Sequence, residues 1–227
     1  MGAARKMTTL LKTFKNCIFC QHTTEITSYG STNEFGSPDL DLRPAEMRRS
    51  TINMWIEVCK NCNFSWNDIE DKEIDVNVLK KVMDTNEWKN LNLEKNTNDM
   101  SLNFERHAMI SREMGMLEQT ANSYLHAAWA ADDANIDSDS IKYRNLSVEY
   151  FLKYLKNIDE TSRDSFAINA LISDLLRITK RYEENIEFIK DNLIKISDEQ
   201  IQKILTFQLE KSLLQDSKIY KISDVFS

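Results

Sequence analysis

Four cysteines, set as two C-x2-C pairs, constrain this 227-residue chain more than any other feature. Cys17-Ile-Phe-Cys20 and Cys59-Lys-Asn-Cys62 use every cysteine present, and each pair has an aromatic beside it (Phe19; Phe64 and Trp66). A C-x2-C turn lets two thiolates converge on one ion while the backbone amides of the turn point at the sulfurs. Two such turns supply the four soft ligands of a tetrahedral zinc site. The 38 residues between Cys20 and Cys59 are too many for a compact finger. They suit two knuckles on the tips of separate hairpins, where the connection is free to be long.

Other uses of the cysteines need a context that is missing. A disulfide framework belongs to an oxidising compartment, and the short basic start Met1–Lys6 is not followed by the apolar run of a secretory signal. A redox C-x2-C needs a βαβ setting. One structural Zn²⁺ on Cys17, Cys20, Cys59 and Cys62 is therefore expected, in a reduced, cytoplasmic chain. With four sulfurs the sphere is closed and leaves no position for substrate. His22, two residues past Cys20, is the only other nearby ligand type and reads as a solvated loop histidine. Met7 is a second candidate for the native start beside Met1.

Composition narrows the rest. The chain has only four glycines and two prolines, against usual frequencies of about 7% and about 5%. That speaks against turn-dense β folds and against glycine-rich phosphate loops. No apolar stretch approaches the roughly 20 residues of a membrane span. The net charge of −7 is uneven: residues 1–66 carry eight basic and six acidic side chains, the remainder 21 and 30. An acidic surface repels a phosphate backbone.

The strands of a small β unit fall at Thr8–Phe14, at Thr51–Val58, which alternates apolar and polar residues, and at Asn63–Trp66. Between the cysteine pairs lies a polar insert, residues 29–50, which holds both prolines and two of the glycines. Pro44 is placed to open a short helix running to about Ser50 with Met47 inward. Asp39, Asp41, Arg43, Arg48 and Arg49 could form a binding surface in which arginines take a carboxylate or phosphate. The plainer reading is an ordered loop whose Asp–Arg pairs tie it to the β unit.

From about Asp75 the apolar period becomes 3.6. Leu117, Ala121, Tyr124, Leu125, Ala128 and Trp129 mark one helix face; Val148, Phe151, Leu152 and Leu155 the next; Ile168, Leu171, Ile172, Leu175 and Ile178 a third, with Thr161 or Ser162 to cap it. Tyr182, Ile186, Ile189 and Leu193 mark a fourth, and Ile201, Ile204, Leu205, Leu209 and Leu213 a fifth after the start signal Ser197-Asp198-Glu199. Short connections make successive helices antiparallel. The expected organisation is a zinc ribbon with its insert over 1–70, a partly helical connection over 71–100, a helical-hairpin domain over 101–218 and a tail over 219–227.

Leu175–Lys190, a helix end followed by Tyr182, acidic residues and an apolar i/i+4 face, resembles the helix junction of tetratricopeptide repeats. Lys180 stands where that family usually has glycine, and Asn185 where it has alanine. The whole chain also resembles a group of uncharacterised bacterial proteins, a domain of unknown function numbered 2225. The resemblance is carried by the four cysteines, Gly36-Ser-Pro-Asp-Leu-Asp-Leu-Arg-Pro44 and Ala127-Ala-Trp-Ala-Ala-Asp-Asp133. It implies a mainly α fold, with an N-terminal two-knuckle zinc ribbon and tetratricopeptide-like antiparallel hairpins, and implies no reaction.

Function is expected to be non-enzymatic protein–protein interaction, with the acidic helical domain receiving a protein or peptide. A nucleic-acid reading would use Arg43, Arg48, Arg49 and Lys60 with Trp55, Phe64 or Trp66, and the charge opposes it. An enzyme at Asp39, Asp41 and Glu46 would lack a recognisable base–nucleophile pair. His107 and His126 each read as a helix-surface or core-edge histidine. No catalytic residue is assigned, and no membrane partner is expected.

Overall fold

The computed structural model describes residues 8–91 and 99–227. β1 (Thr8–Asn16) and β2 (Thr23–Thr32) pair antiparallel, with Leu10 opposite Tyr29 and Phe14 opposite Glu25, and turn through the first cysteine pair. β3 (Glu57–Val58) and β4 (Ser65–Trp66) form a second, minimal hairpin around the other pair. The two hairpins are separate sheets, as the long spacing between the pairs requires.

Two local expectations are corrected. Only Glu57–Val58 of the alternating run 51–58 is strand; Arg49–Met54 is a 3-10 turn. The alternation was shared by another geometry: Ile52 and Ile56, four apart, are both buried in the central helical core with Trp55 beside them, so they project to one side. Nor does a helix begin at Pro44. Met47 has φ of +74°, in the left-handed region, which breaks any helix before Arg49.

Helices follow: α1 (Val76–Met83), α2 (Asn86–Leu91), α3 (Asp99–Glu113), α4 (Leu117–Asp133), α5 (Asp137–Leu155), α6 (Arg163–Ile178), α7 (Tyr182–Leu193), α8 (Glu199–Leu213) and α9 (Ile222–Val225). The fold is mainly α. Starts follow the capping residues. Ser162 accepts from the Ser165 amide, and Asp198 from those of Gln200 and Ile201. Among the described residues no helix is long and apolar enough to cross a membrane.

Helix ends share one device. Gly115, Asn135, Lys180 and Gln215 all have positive φ, at 73°, 57°, 63° and 52°. Just after each, an amide reaches back to the last turn: Met116 to Ser111, Ile136 to Ala131, Arg181 to Leu176 and Asp216 to Lys211. This is the Schellman cap, which satisfies orphan carbonyls and reverses the chain in a few residues. It makes α3–α4, α4–α5 and α6–α7 into tight hairpins. Only Gly115 of the four is glycine, so the chain folds helical hairpins while spending almost none.

Three apolar clusters result. One joins Cys17, Ile26, Cys59, Phe64, Trp66 and Ile69 of the β unit to α1, α2 and α3. A central one runs through α3 to α6 and takes in Ile52 and Ile56; Tyr124, Trp129 and Phe151 all lie in it, buried. A third packs α6, α7 and α8 around Leu40 of the insert. Residues 219–227, read from sequence as a tail, lie against that insert: the Tyr220 carbonyl accepts from the Leu40 amide, and the Ile222 amide donates to the Pro38 carbonyl.

Candidate metal centre and the joint to the helices

The two knuckles are copies of one backbone plan. In the first, the Gln21 amide donates to the Cys17 carbonyl and the Cys17 amide to the His22 carbonyl. In the second, Asn63 donates to Cys59 and Cys59 to Phe64 in the same pattern. Gln21 and Asn63, the residues after each second cysteine, both have φ of 60°. Asparagine tolerates that region; glutamine occupies it at a cost.

The four Sγ atoms all lie within 4.8 Å of one another. Cys17 and Cys62 are 3.7 Å apart and Cys20 and Cys59 3.5 Å, and all four are free thiols. An ion bonded to four thiolates at about 2.3 Å would separate the sulfurs by about 3.8 Å. The donor set therefore fits a tetrahedral metal ion. Without an ion the thiols diverge: burial pushes Cys17 up to about 11 and drives Cys62 higher still. Burial also acts to raise Cys20, but hydrogen bonds from Asn61 and the His22 amide outweigh it and hold that thiol at about 7. His22 is exposed, and it is not in the cluster.

The insert residues are placed inward. Asp39, Asp41 and Arg43 are all buried. Asp41 receives the Trp129 indole N–H at 2.7 Å, the Arg144 guanidinium at 3.2 Å and, through its other oxygen, the Arg43 amide. Arg144 in turn holds Asp132 at 2.7 Å and 3.1 Å. Arg43 reaches Asp133 at 2.5 Å. Arg49 pairs with Asp39 at 2.6 Å. Arg48 is exposed and touches Glu34 at 3.4 Å, and Glu46 is exposed. Burial works against the charge of Arg144, but the carboxylates of Asp132 and Asp41 more than compensate and keep it protonated. Burial raises Asp39 despite Arg49.

This arrangement binds the β unit to α4 and α5 through a buried Asp41–Arg144 pair, with the partly exposed Asp132 and Asp133 at its rim. A second pair does the same for the chain's last segment. Arg177, fully buried, bonds Asp174 at 2.6 Å and donates to the Asp216 and Lys218 carbonyls. Burial pushes Asp174 up to about 6, with Arg177 acting to lower it.

One constellation was not singled out from sequence. His107, 3% exposed, lies 2.7 Å from the Ser123 hydroxyl through Nδ1. The serine proton goes to the Gln119 carbonyl at 2.6 Å, so Nδ1 is the donor to Ser123, and Nε2 accepts from the Gln119 amide. That direction does not activate a serine nucleophile, which needs its base to accept the hydroxyl proton. His107 also stacks on Trp66 with ring centroids 4.6 Å apart. The stack fastens the β unit to α3, and the two hydrogen bonds fasten α3 to α4.

A four-thiol, two-knuckle module welded by buried ion pairs to antiparallel helical hairpins defines the class. The chain belongs to the family described as an uncharacterized protein conserved in bacteria (DUF2225), whose model matches residues 43–211 and so includes Cys59 and Cys62. No curated protein and no solved structure matches.

Proposed function

We propose that this protein is a non-enzymatic zinc-ribbon and helical-hairpin module that mediates protein–protein interaction, its hairpins packed in tetratricopeptide-like fashion. Zn²⁺ is the ion favoured by four thiolates at tetrahedral spacing, and a closed sphere makes it structural. Reduced thiols suit a cytoplasmic setting.

The observation that carries the partner reading is β1. It is nine residues long, with Leu10, Leu11 and Phe14 exposed by 59%, 49% and 73%, and β2 is its one strand partner among the described residues. Its outer edge offers backbone donors and acceptors beside apolar side chains, which an extended segment of a partner could complete as a third strand. The arginines a nucleic acid would use are largely committed: Arg43 and Arg49 lie in internal ion pairs. Protein is thus favoured over nucleic acid.

The test compares proteins captured from native cytosol by wild type and by a Leu10→Glu/Phe14→Glu double variant. Metal content and circular dichroism should match between the two. Loss of a stoichiometric partner from the variant alone supports the reading. Identical captured sets overturn it.

A further inference from the structure

A cleft of about 570 Å³ lies where β2, the insert, the 3-10 turn and helices α4 and α6 meet. That is within the roughly 300–1,000 Å³ typical of small-molecule sites. Its apolar lining includes Trp55, Trp129, Leu125 and Leu171. A smaller recess continues beyond it and shares Trp55, Asn122 and His126 with it.

The polar groups that reach this cleft are the informative ones. His126 packs its ring against Trp55 and Trp129, each with centroids 5.0 Å away, and Phe104 at 5.3 Å. Among the described residues neither of its nitrogens, nor the Asn122 amide, has a hydrogen-bond partner. Both residues are half-buried on the cleft wall, so these polar atoms are open to water and to the polar groups of a ligand. Among the described residues Arg48 is the single charged one lining the cleft, and only its Nη1 is engaged, on Glu34 at 3.4 Å. Elsewhere the insert spends its arginines on buried pairs; this one is left at the mouth of an aromatic pocket.

We propose that this cleft binds a small amphipathic monoanion: an aromatic or branched apolar body with one carboxylate. The body fills the Trp55–Trp129–Leu171 walls, the carboxylate takes the open edge of Arg48, and Asn122 and His126 bond polar atoms of the body. One arginine with Glu34 beside it suits a single negative charge and disfavours a dianion. The site lies on the inner strand of the hairpin, away from the edge of β1, and is independent of the partner reading.

The probes are 2-naphthoate and its neutral counterpart 2-naphthamide, titrated into the metal-loaded full chain. Binding is read by calorimetry and by quenching of tryptophan fluorescence. Saturable 1:1 binding of 2-naphthoate is expected. Arg48→Gln should weaken it about tenfold while changing 2-naphthamide less than twofold. Asn122→Trp, which fills the cleft, should abolish both, and Ser28→Trp does so from the opposite wall if the first variant folds poorly. Absence of saturable binding to wild type, or binding that survives filling the cleft, overturns the site. Equal response of acid and amide to Arg48→Gln overturns the anion assignment.

Discussion

Trp129 donates its indole N–H to a carboxylate oxygen of Asp41 at 2.7 Å, across 88 positions of sequence. That one bond joins the insert of the β unit to the C-terminal part of α4, and Arg144 reinforces it from α5. The carboxylate is 1% exposed and the guanidinium barely more. A charge so placed is costly to orphan. Asp41→Asn should lower unfolding free energy by about 3 kcal/mol, the order seen when one partner of a buried ion pair is removed. Urea denaturation followed by tryptophan fluorescence measures it; a loss below about 1 kcal/mol would show that the pair is not needed.

Cys59→Ser should remove the metal, and the damage should have a definite boundary. The β unit has no core of its own; Cys17, Cys59 and Phe64 share one with α1, α2 and α3. Amide exchange should therefore accelerate in 8–91 and in α3, while α6 to α8, built on other clusters, keep their protection. Uniform acceleration through α8 would contradict this.

Acid should destabilise the fold through His107, which is buried, and His126, which is half-buried against aromatic rings. Burial, with His126 nearby, lowers His107 to about 3, and burial lowers His126 to about 4. Both are neutral in the folded state at pH 5, whereas in the unfolded chain a histidine gains its proton near 6.5. The unfolded state thus binds more protons below 6.5, and stability is lost as pH falls from there towards 4. Each histidine held neutral in this way contributes a slope of up to about 1.4 kcal/mol per pH unit. His107→Gln, whatever its effect at pH 7, should flatten the stability–pH curve in that window. An unchanged slope would show that other groups set it.

Lys180→Gly and Gln21→Gly should each be neutral or stabilising by up to about 1 kcal/mol, because the native φ values of 63° and 60° strain a side chain. The entropy of a freer unfolded chain offsets part of the gain. Lys180→Val, by contrast, should cost more than about 1 kcal/mol. Thermal melts of the three variants provide the comparison.

The helices whose apolar faces repeat cleanly were legible in sequence, and α6 and α8 start at the caps Ser162 and Asp198 that the sequence offers. The cysteine cluster was legible because C-x2-C writes its geometry into four positions. α3 was not. From Ser101 to Ser111 nearly every side chain is buried, because α3 is covered by the β unit on one side and by α4 on the other. A helix enclosed all round shows no stripe. The insert misled in another way. Asp41 and Arg144 are 103 positions apart, so nothing adjacent to Asp41 announces that its charge is matched. Charged loops look solvent-facing until their distant partners are known.

The bonds between residues 37–40 and 220–223 set an order on events during synthesis. Ser37 and the Ser223 amide that donates to it are 186 positions apart. At roughly 5–20 residues per second, the insert leaves the ribosome about 10 to 40 s before the segment that holds it. The knuckles can close on metal early, since all four ligands lie before residue 63. The insert must wait, with Asp39 and Asp41 unburied, until α4, α5 and finally the 220–223 segment arrive. Cellular factors that bind nascent chains would meet this protein first as two cysteine knuckles with an unsettled loop between them.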